Sequence, residues 1–161
     1  MDKRKLYQWC AVPSEELMGH PERKVPLRIV KNAKELGEVM ARDFVEDIKL
    51  ANQEGREYKA IVPCGPKEWY APFARMVNEE QVSLRKVTVF HMDENLDWEG
   101  KMLHLEDPSN FQTFMRRYFY GPVREELAVP EEQRFFLTPE NYRQISDRKL
   151  NTEIDYTLGG W

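Results

Sequence analysis

The stretch Val87-Thr88-Val89-Phe90-His91-Met92-Asp93-Glu94-Asn95 decides how the rest of the chain is read. Its first half is a short β-branched and aromatic run, the pattern of a buried strand. Polarity then reverses abruptly, and two adjacent carboxylates, Asp93 and Glu94, stand where the strand should stop. In open α/β sheets, ligands sit outside the carboxyl ends of the strands, so an acid there faces the expected cleft. A carboxylate in that place can take a proton from a substrate carbon or activate a water. A helix cap or a turn acid is the competing reading, since Asp and Asn are common turn residues.

Upstream of this stretch, Tyr58 to Val62 reads as another strand, ending in Pro63-Cys64-Gly65-Pro66-Lys67. A helix is expected from about Glu68 to Asn78, with Trp69, Phe73, Met76 and Val77 available for packing. A strand, a glycine turn and a helix start form a place where backbone N–H groups can cradle a phosphate. Pro66 has no N–H to donate, whereas Lys67 offers a point cation; a plain turn with an exposed lysine is the alternative. Earlier still, Leu27 to Val30 is expected as a short strand, and Asn32 caps a helix from Ala33 to about Asn52. Leu36, Met40, Phe44, Ile48 and Ala51 recur on one stripe of that helix, and Gly55 marks its stop.

Downstream, a long polar connection runs from Asn95 to Asp107, a length often used for a lid or a substrate rim. Its Trp98 and His104 either face a cleft or pack the loop down. His91, His104, Asp93 and Glu94 have no metal-ligand spacing, so no metal is expected. Asp107-Pro108 is expected to open a helix whose apolar face is Phe111, Phe114, Met115, Tyr118 and Phe119, with Gly121-Pro122 at its end. Arg116, Arg117 and Arg124 read as a solvated face or a subunit contact. Arg134 to Leu137 is expected as a strand and Tyr142 to Leu150 as a weak helix, with Tyr142, Ile145, Lys149 and Leu150 on a shared side. Ile154 to Leu158 is expected as a last strand before Gly159-Gly160-Trp161. Alternating strands and helices predict an α/β doubly wound fold, a mainly parallel sheet with helices on both faces in the Rossmann-like manner.

The chain has 161 residues, 41% hydrophobic and 32% charged, an ordinary globular composition for one domain with a real core. Residues 1–26, with Pro13, Pro21, Pro26 and scattered charges, read as an N-terminal extension with one short helix at Ser14 to Met18, and residues 27–161 as the α/β domain. A net charge of -4 gives no basic footprint for nucleic acid, and no apolar run is long enough to cross a bilayer. The two cysteines, Cys10 and Cys64, form neither a disulfide framework nor a metal motif, so a cytoplasmic setting is expected.

Phe90-His91-Met92-Asp93-Glu94 resembles the Phe-Asn-Met-Asp-Glu segment of glucosamine-6-phosphate deaminases, and Pro108-Ser109-Asn110-Phe111-Gln112-Thr113-Phe114-Met115-Arg116 resembles the Pro-Glu-Ser-Tyr-Tyr-Ser-Phe-Met helix that comes after it in that family. The order of elements agrees from about Leu27 to Trp161. The resemblance implies an aldose–ketose isomerase and deaminase acting on an amino sugar phosphate. Asp93 would be the general base, and Glu94 would shape its field and the adjoining loop. Cys64, Gly65 and Lys67 would line the phosphate or sugar rim, and Ser109 and Asn110 would contact sugar hydroxyls. No cofactor or metal is implied, and the family tends to homo-oligomerise. The family's turn Pro-Thr-Gly-Gly-Thr-Pro keeps only Pro63 and Gly65 here. Its Gly-Gly leads into an Asp-Gly-His motif and a glutamate that assist ring opening, whereas this sequence stops at Trp161, which implies a truncated, N-terminal portion of a longer protein. A 6-phosphogluconolactonase-like hydrolase and a catalytically inactive sugar-phosphate sensor are the alternatives.

Overall fold

The computed structural model describes residues 2–159. Gly160 and Trp161, and with them the second half of the glycine pair, lie outside the described residues. The chain forms two compact units, one up to Lys31 and one from Asn32 onward.

In the first unit, α1 (Lys3–Cys10) starts at Asp2, whose side chain accepts the Arg4 N–H at 3.0 Å. The sequence predicts no helix there; a capping aspartate at the second residue is enough to start one. The expected short helix at Ser14 to Met18 is a 3-10 helix over Ser14–Gly19. The Trp9 indole donates to Glu22 Oε2 at 2.5 Å, and Lys5 stands 5.1 Å over its ring. Leu27 to Val30, expected as a strand, forms none. Four β-prone residues become a strand only when another edge satisfies their backbone groups.

The second unit begins with α2 (Ala33–Gln53), capped as expected by the Asn32 side chain, which accepts the Glu35 N–H at 2.9 Å. It leads into β1 (Tyr58–Val62), then a 3-10 turn over Lys67–Trp69 and α3 (Tyr70–Glu79). The strand β2 (Val87–His91) is next, then α4 (Phe111–Met115), β3 (Arg134–Phe135), α5 (Tyr142–Leu150) and β4 (Tyr156–Thr157). The sheet is parallel throughout, in the order β3-β2-β1-β4, with Tyr58 opposite Val87 and Val62 opposite His91. The edge strands are shorter than their sequence runs. Past Phe135 the chain turns away, because Asn141 Nδ2 donates to the Phe136 carbonyl at 3.1 Å and the Asn141 side-chain oxygen accepts the Thr138 N–H at 2.7 Å.

Side chains alternate across a strand. One face of the sheet presents Ala60, Val62, Val87 and Val89 to the main core, which is built from α2, α3 and α4. Phe44 sits at its centre, with ring centroids 5.5 to 5.8 Å from Tyr58, Trp69, Phe73 and Tyr156. Burial of such a ring stabilises by roughly 1.5–3 kcal/mol. Gly37 lets α2 approach the turn before α3, since a Cβ there would collide with the Glu68 carbonyl. The opposite face carries Thr88 and Phe90, with Phe135 stacked on Phe90 at 5.1 Å and Arg148 of α5 lying 4.2 Å over Phe135.

The helix α4 departs from expectation in two ways. Its cap is Asn110 rather than Asp107; the Asn110 side chain accepts the Thr113 N–H at 2.8 Å, while Asp107 closes the preceding turn by accepting the Ser109 N–H. Its second turn, Arg116–Tyr120, is a π turn closed by the Gly121 N–H on the Arg116 carbonyl at 2.9 Å. The extra residue rotates the succeeding side chains by about 100°. Met115 and Phe119 are therefore buried as expected, Tyr118 is turned out to 45% exposure, and Tyr120 is turned in.

Candidate functional site

The connections after β2 and β3 leave the sheet on opposite faces, β2 toward α4 and β3 toward α5. Adjacent strands whose connections diverge open a crevice at their carboxyl ends. A cleft of about 420 Å³ lies there, walled by Glu94, Leu96 and Gly100 on one side and by Leu137, Thr138, Pro139 and Tyr142 on the other.

The two acids that end β2 separate immediately. Glu94 turns to the start of α4, where Oε1 accepts the Phe111 N–H at 2.7 Å and Oε2 accepts the Gln112 N–H at 2.9 Å. Oε1 also accepts the Asn95 N–H at 3.0 Å. The Phe111 and Gln112 donors are among those that a helix's first turn leaves without intrahelical partners, so the carboxylate anchors α4 to the end of β2. Asp93 points outward and is exposed.

Around Asp93 stand groups from the neighbouring elements. Cys64 comes directly after β1, half-buried; burial and then the charges of Asp93 and Glu94 push its thiol up to about 11. Such a thiol stays neutral and is a poor nucleophile. Tyr70, buried at the start of α3, shares a hydrogen bond with Cys64 and has its hydroxyl 3.2 Å from Met115 sulfur. From the other face, Lys149 of α5 is half-buried and donates to the His91 carbonyl at 2.6 Å. Burial lowers its proton affinity while the Asp93 charge opposes that shift. An ammonium has three donors, and the contact with His91 uses one.

His91 itself is no part of the open site. It is buried, bonded through Nε2 to the Tyr120 hydroxyl at 2.9 Å and stacked on Phe136 at 4.0 Å. Burial, and then the charges of Lys149, Arg116 and Arg134, push it down to about 3, so it is neutral.

The other sequence candidates divide. Gly65 lies in the open turn after β1, preceding a cis peptide to Pro66, with nothing near the position of a Cβ. Lys67 lines a groove between α3 and α4 with Tyr70, Ala71, Phe114 and Tyr118, on the flank of the domain. Ser109 is exposed, and its carbonyl accepts from Asn95 Nδ2 at 3.0 Å. Asn110 is fully buried, its oxygen spent on the α4 cap and its amide on the Leu103 carbonyl at 3.0 Å. Trp98, at 92% exposure, does not pack its loop down. The signal that could have found Lys149 was in the sequence, as a lysine on the shared side of α5 beside Ile145. No metal-binding group of His, Cys, Asp and Glu occurs among the described residues, and no helix there is long and apolar enough to cross a membrane.

Among solved structures the fold is similar to that of a monomeric glucosamine-6-phosphate deaminase described as a missing link of the NagB superfamily. The match has a TM-score of 0.56 at 17% sequence identity and covers 74% of this chain and 46% of that one, so this chain spans less than half of the structure it resembles. At that identity the likeness shows the α/β fold. No protein-family model matches the chain, and no curated protein matches it in sequence.

Proposed function

We propose that this chain carries the proton-abstracting half of a sugar-phosphate aldose–ketose isomerase site, of the kind that deaminates an amino sugar phosphate such as glucosamine 6-phosphate. The observation that carries the reading is the unspent Asp93 carboxylate at the carboxyl end of β2, beside a second acid committed to the fold. In this reading Asp93 takes the C2 proton of the open-chain sugar. The electron pair moves toward the C1 carbonyl oxygen, and the enediol-type intermediate is reprotonated at C1. Water then hydrolyses the resulting imine to the keto sugar phosphate and ammonia.

The Lys149 ammonium suits the oxygen on which negative charge gathers, because a preorganised donor in a partly dry site stabilises that charge without reorganising. Cys64 and Tyr70, both neutral, contribute hydrogen bonding and shape at the rim. Glu94 holds the β2–α4 corner so that the base stays fixed relative to the cleft. Water and protein side chains supply every proton this scheme needs.

The test is ammonia release from glucosamine 6-phosphate. Asp93→Asn should lower turnover by about 10²–10⁴-fold and leave sugar-phosphate binding measurable; unchanged turnover in that variant removes Asp93 as the base. A binding or sensor domain is the second reading. It is favoured by Pro66, which deprives the β1–α3 turn of an N–H, and by Lys67, which lines the α3–α4 flank. That reading expects thermal stabilisation by glucosamine 6-phosphate with no ammonia released.

A further inference from the structure

At the amino end of the same sheet, on the face covered by α5, lies a second cleft of about 320 Å³. Its floor is Thr88 and Phe90, and Lys59, Arg85, Lys86 and Arg148 surround it. One carboxylate, Glu57, lines it as well. The lining therefore carries a charge of +3, four cations less one acid, within a chain whose net charge is -4. Cations gathered in a concavity, against the sign of the whole molecule, focus an attractive field on anions.

Three of these cations rest on neutral partners. Lys86 Nζ rests on the Gly55 carbonyl at 2.8 Å, and Arg85 Nε on the Glu126 carbonyl at 3.3 Å. The Arg148 guanidinium lies 4.2 Å over the Phe135 ring, which leaves its donor edges open. Lys59 is ion-paired with Glu57 at 3.3 Å, and among the described residues the other three have no ion pair. The wall adds an acceptor. Gln133 donates through Nε2 to the Arg85 carbonyl at 3.2 Å, while its Oε1 is buried with no partner among the described residues.

We propose that this cleft is a binding site for a phosphomonoester of sugar or nucleotide size. The two arginines can meet a phosphate through paired N–H donors, and the lysines add charge. A phosphate dianion matches three excess charges better than a single carboxylate does. A nucleic acid strand fits less well, since it needs an extended basic track on a chain without net negative charge. The cleft flanks the start of β2, whereas Asp93 lies past its end. Along the strand Asp93 lies five residues, about 17 Å, from Thr88 and three residues, about 10 Å, from Phe90, so a phosphate held among Lys59, Arg85 and Lys86 does not take the place of a ligand at Asp93.

The experiment is an amide-resolved NMR titration of the whole chain with ribose 5-phosphate, ribose and inorganic phosphate at low salt. Ribose 5-phosphate should give saturable shifts at Lys59, Thr88 and Thr152 below about 10 mM, and ribose none. Inorganic phosphate should bind more weakly, because it lacks the sugar that would occupy the rest of the cleft. The exposed pair Arg85→Gln and Arg148→Gln should weaken binding about tenfold or more with the spectrum otherwise preserved, and Lys59→Gln alone should weaken it less. Asp93→Asn should leave it unchanged. Absence of saturable shifts, shifts confined to Cys64 and Asp93, equal binding of ribose, or unchanged affinity in the double variant would each overturn the site. Equal affinity for inorganic phosphate would overturn the part given to the sugar.

Discussion

The two central strands end differently, β1 in a short turn and β2 in a long connection. After β1, Pro63 to Lys67 has lost a backbone donor to Pro66, its cysteine is held neutral, and its lysine lines the flank of α3. After β2, two identical charges sit side by side and are sorted by their partners, with Glu94 given to three backbone N–H groups and Asp93 given to none of them. The difference teaches that composition at a strand end does not assign chemistry. What assigns it is whether the fold has already used the group, because a carboxylate that accepts several N–H bonds is held in position.

The sharpest way to break this contrast is to neutralise each acid in turn. Asp93→Asn should cost roughly 10²–10⁴-fold in turnover and leave the urea midpoint unchanged. Glu94→Ala should do the reverse in kind. It leaves the Phe111 and Gln112 N–H groups without their acceptor and should lower stability by about 1–2 kcal/mol, read as a shifted urea midpoint, with turnover falling only as far as the β2–α4 corner loosens. If Asp93→Asn destabilises the fold and Glu94→Ala does not, the division between the two acids is reversed.

A smaller effect comes from the residue that ends β2. His91 is neutral in the folded chain at about 3 but takes a proton near 6.5 when unfolded. Its folded value is depressed, so the unfolded state binds the extra proton first. Stability is therefore full above about pH 6.5 and falls below it by up to about 1.4 kcal/mol per pH unit until pH 3 is approached. His91→Asn should flatten that part of the stability profile measured by urea unfolding between pH 7 and pH 4. A slope that survives the substitution assigns it to other groups.

The smallest effect sharpens the β1 side. Asp93 is one cause of the raised Cys64 value, after burial. Asp93→Asn should lower that value and modestly speed alkylation of Cys64 by iodoacetamide at pH 8.5, with the exposed Cys10 as the internal reference. An unchanged rate would show that the two groups do not sense each other.

Much of the scaffold was legible in the sequence because it rests on local periodicity. The helix from Asn32, the strands Tyr58–Val62 and Val87–His91 and the helix Tyr142–Leu150 arise from capping, alternation and apolar stripes. The position of Asp93 at a strand end was legible for the same reason. The tertiary structure alone decided the rest. Leu27 to Val30 formed no strand, and the π turn of α4 exchanged Tyr118 for Tyr120 in the core. Asn110 was taken into the α4 cap, and Glu94 was bonded to residues 17 and 18 positions away. Lys149 was carried 58 positions along the chain to the backbone of β2. Local pattern determines which segments bury a face, but the assignment of each polar group depends on donors and acceptors that only the folded chain brings within reach.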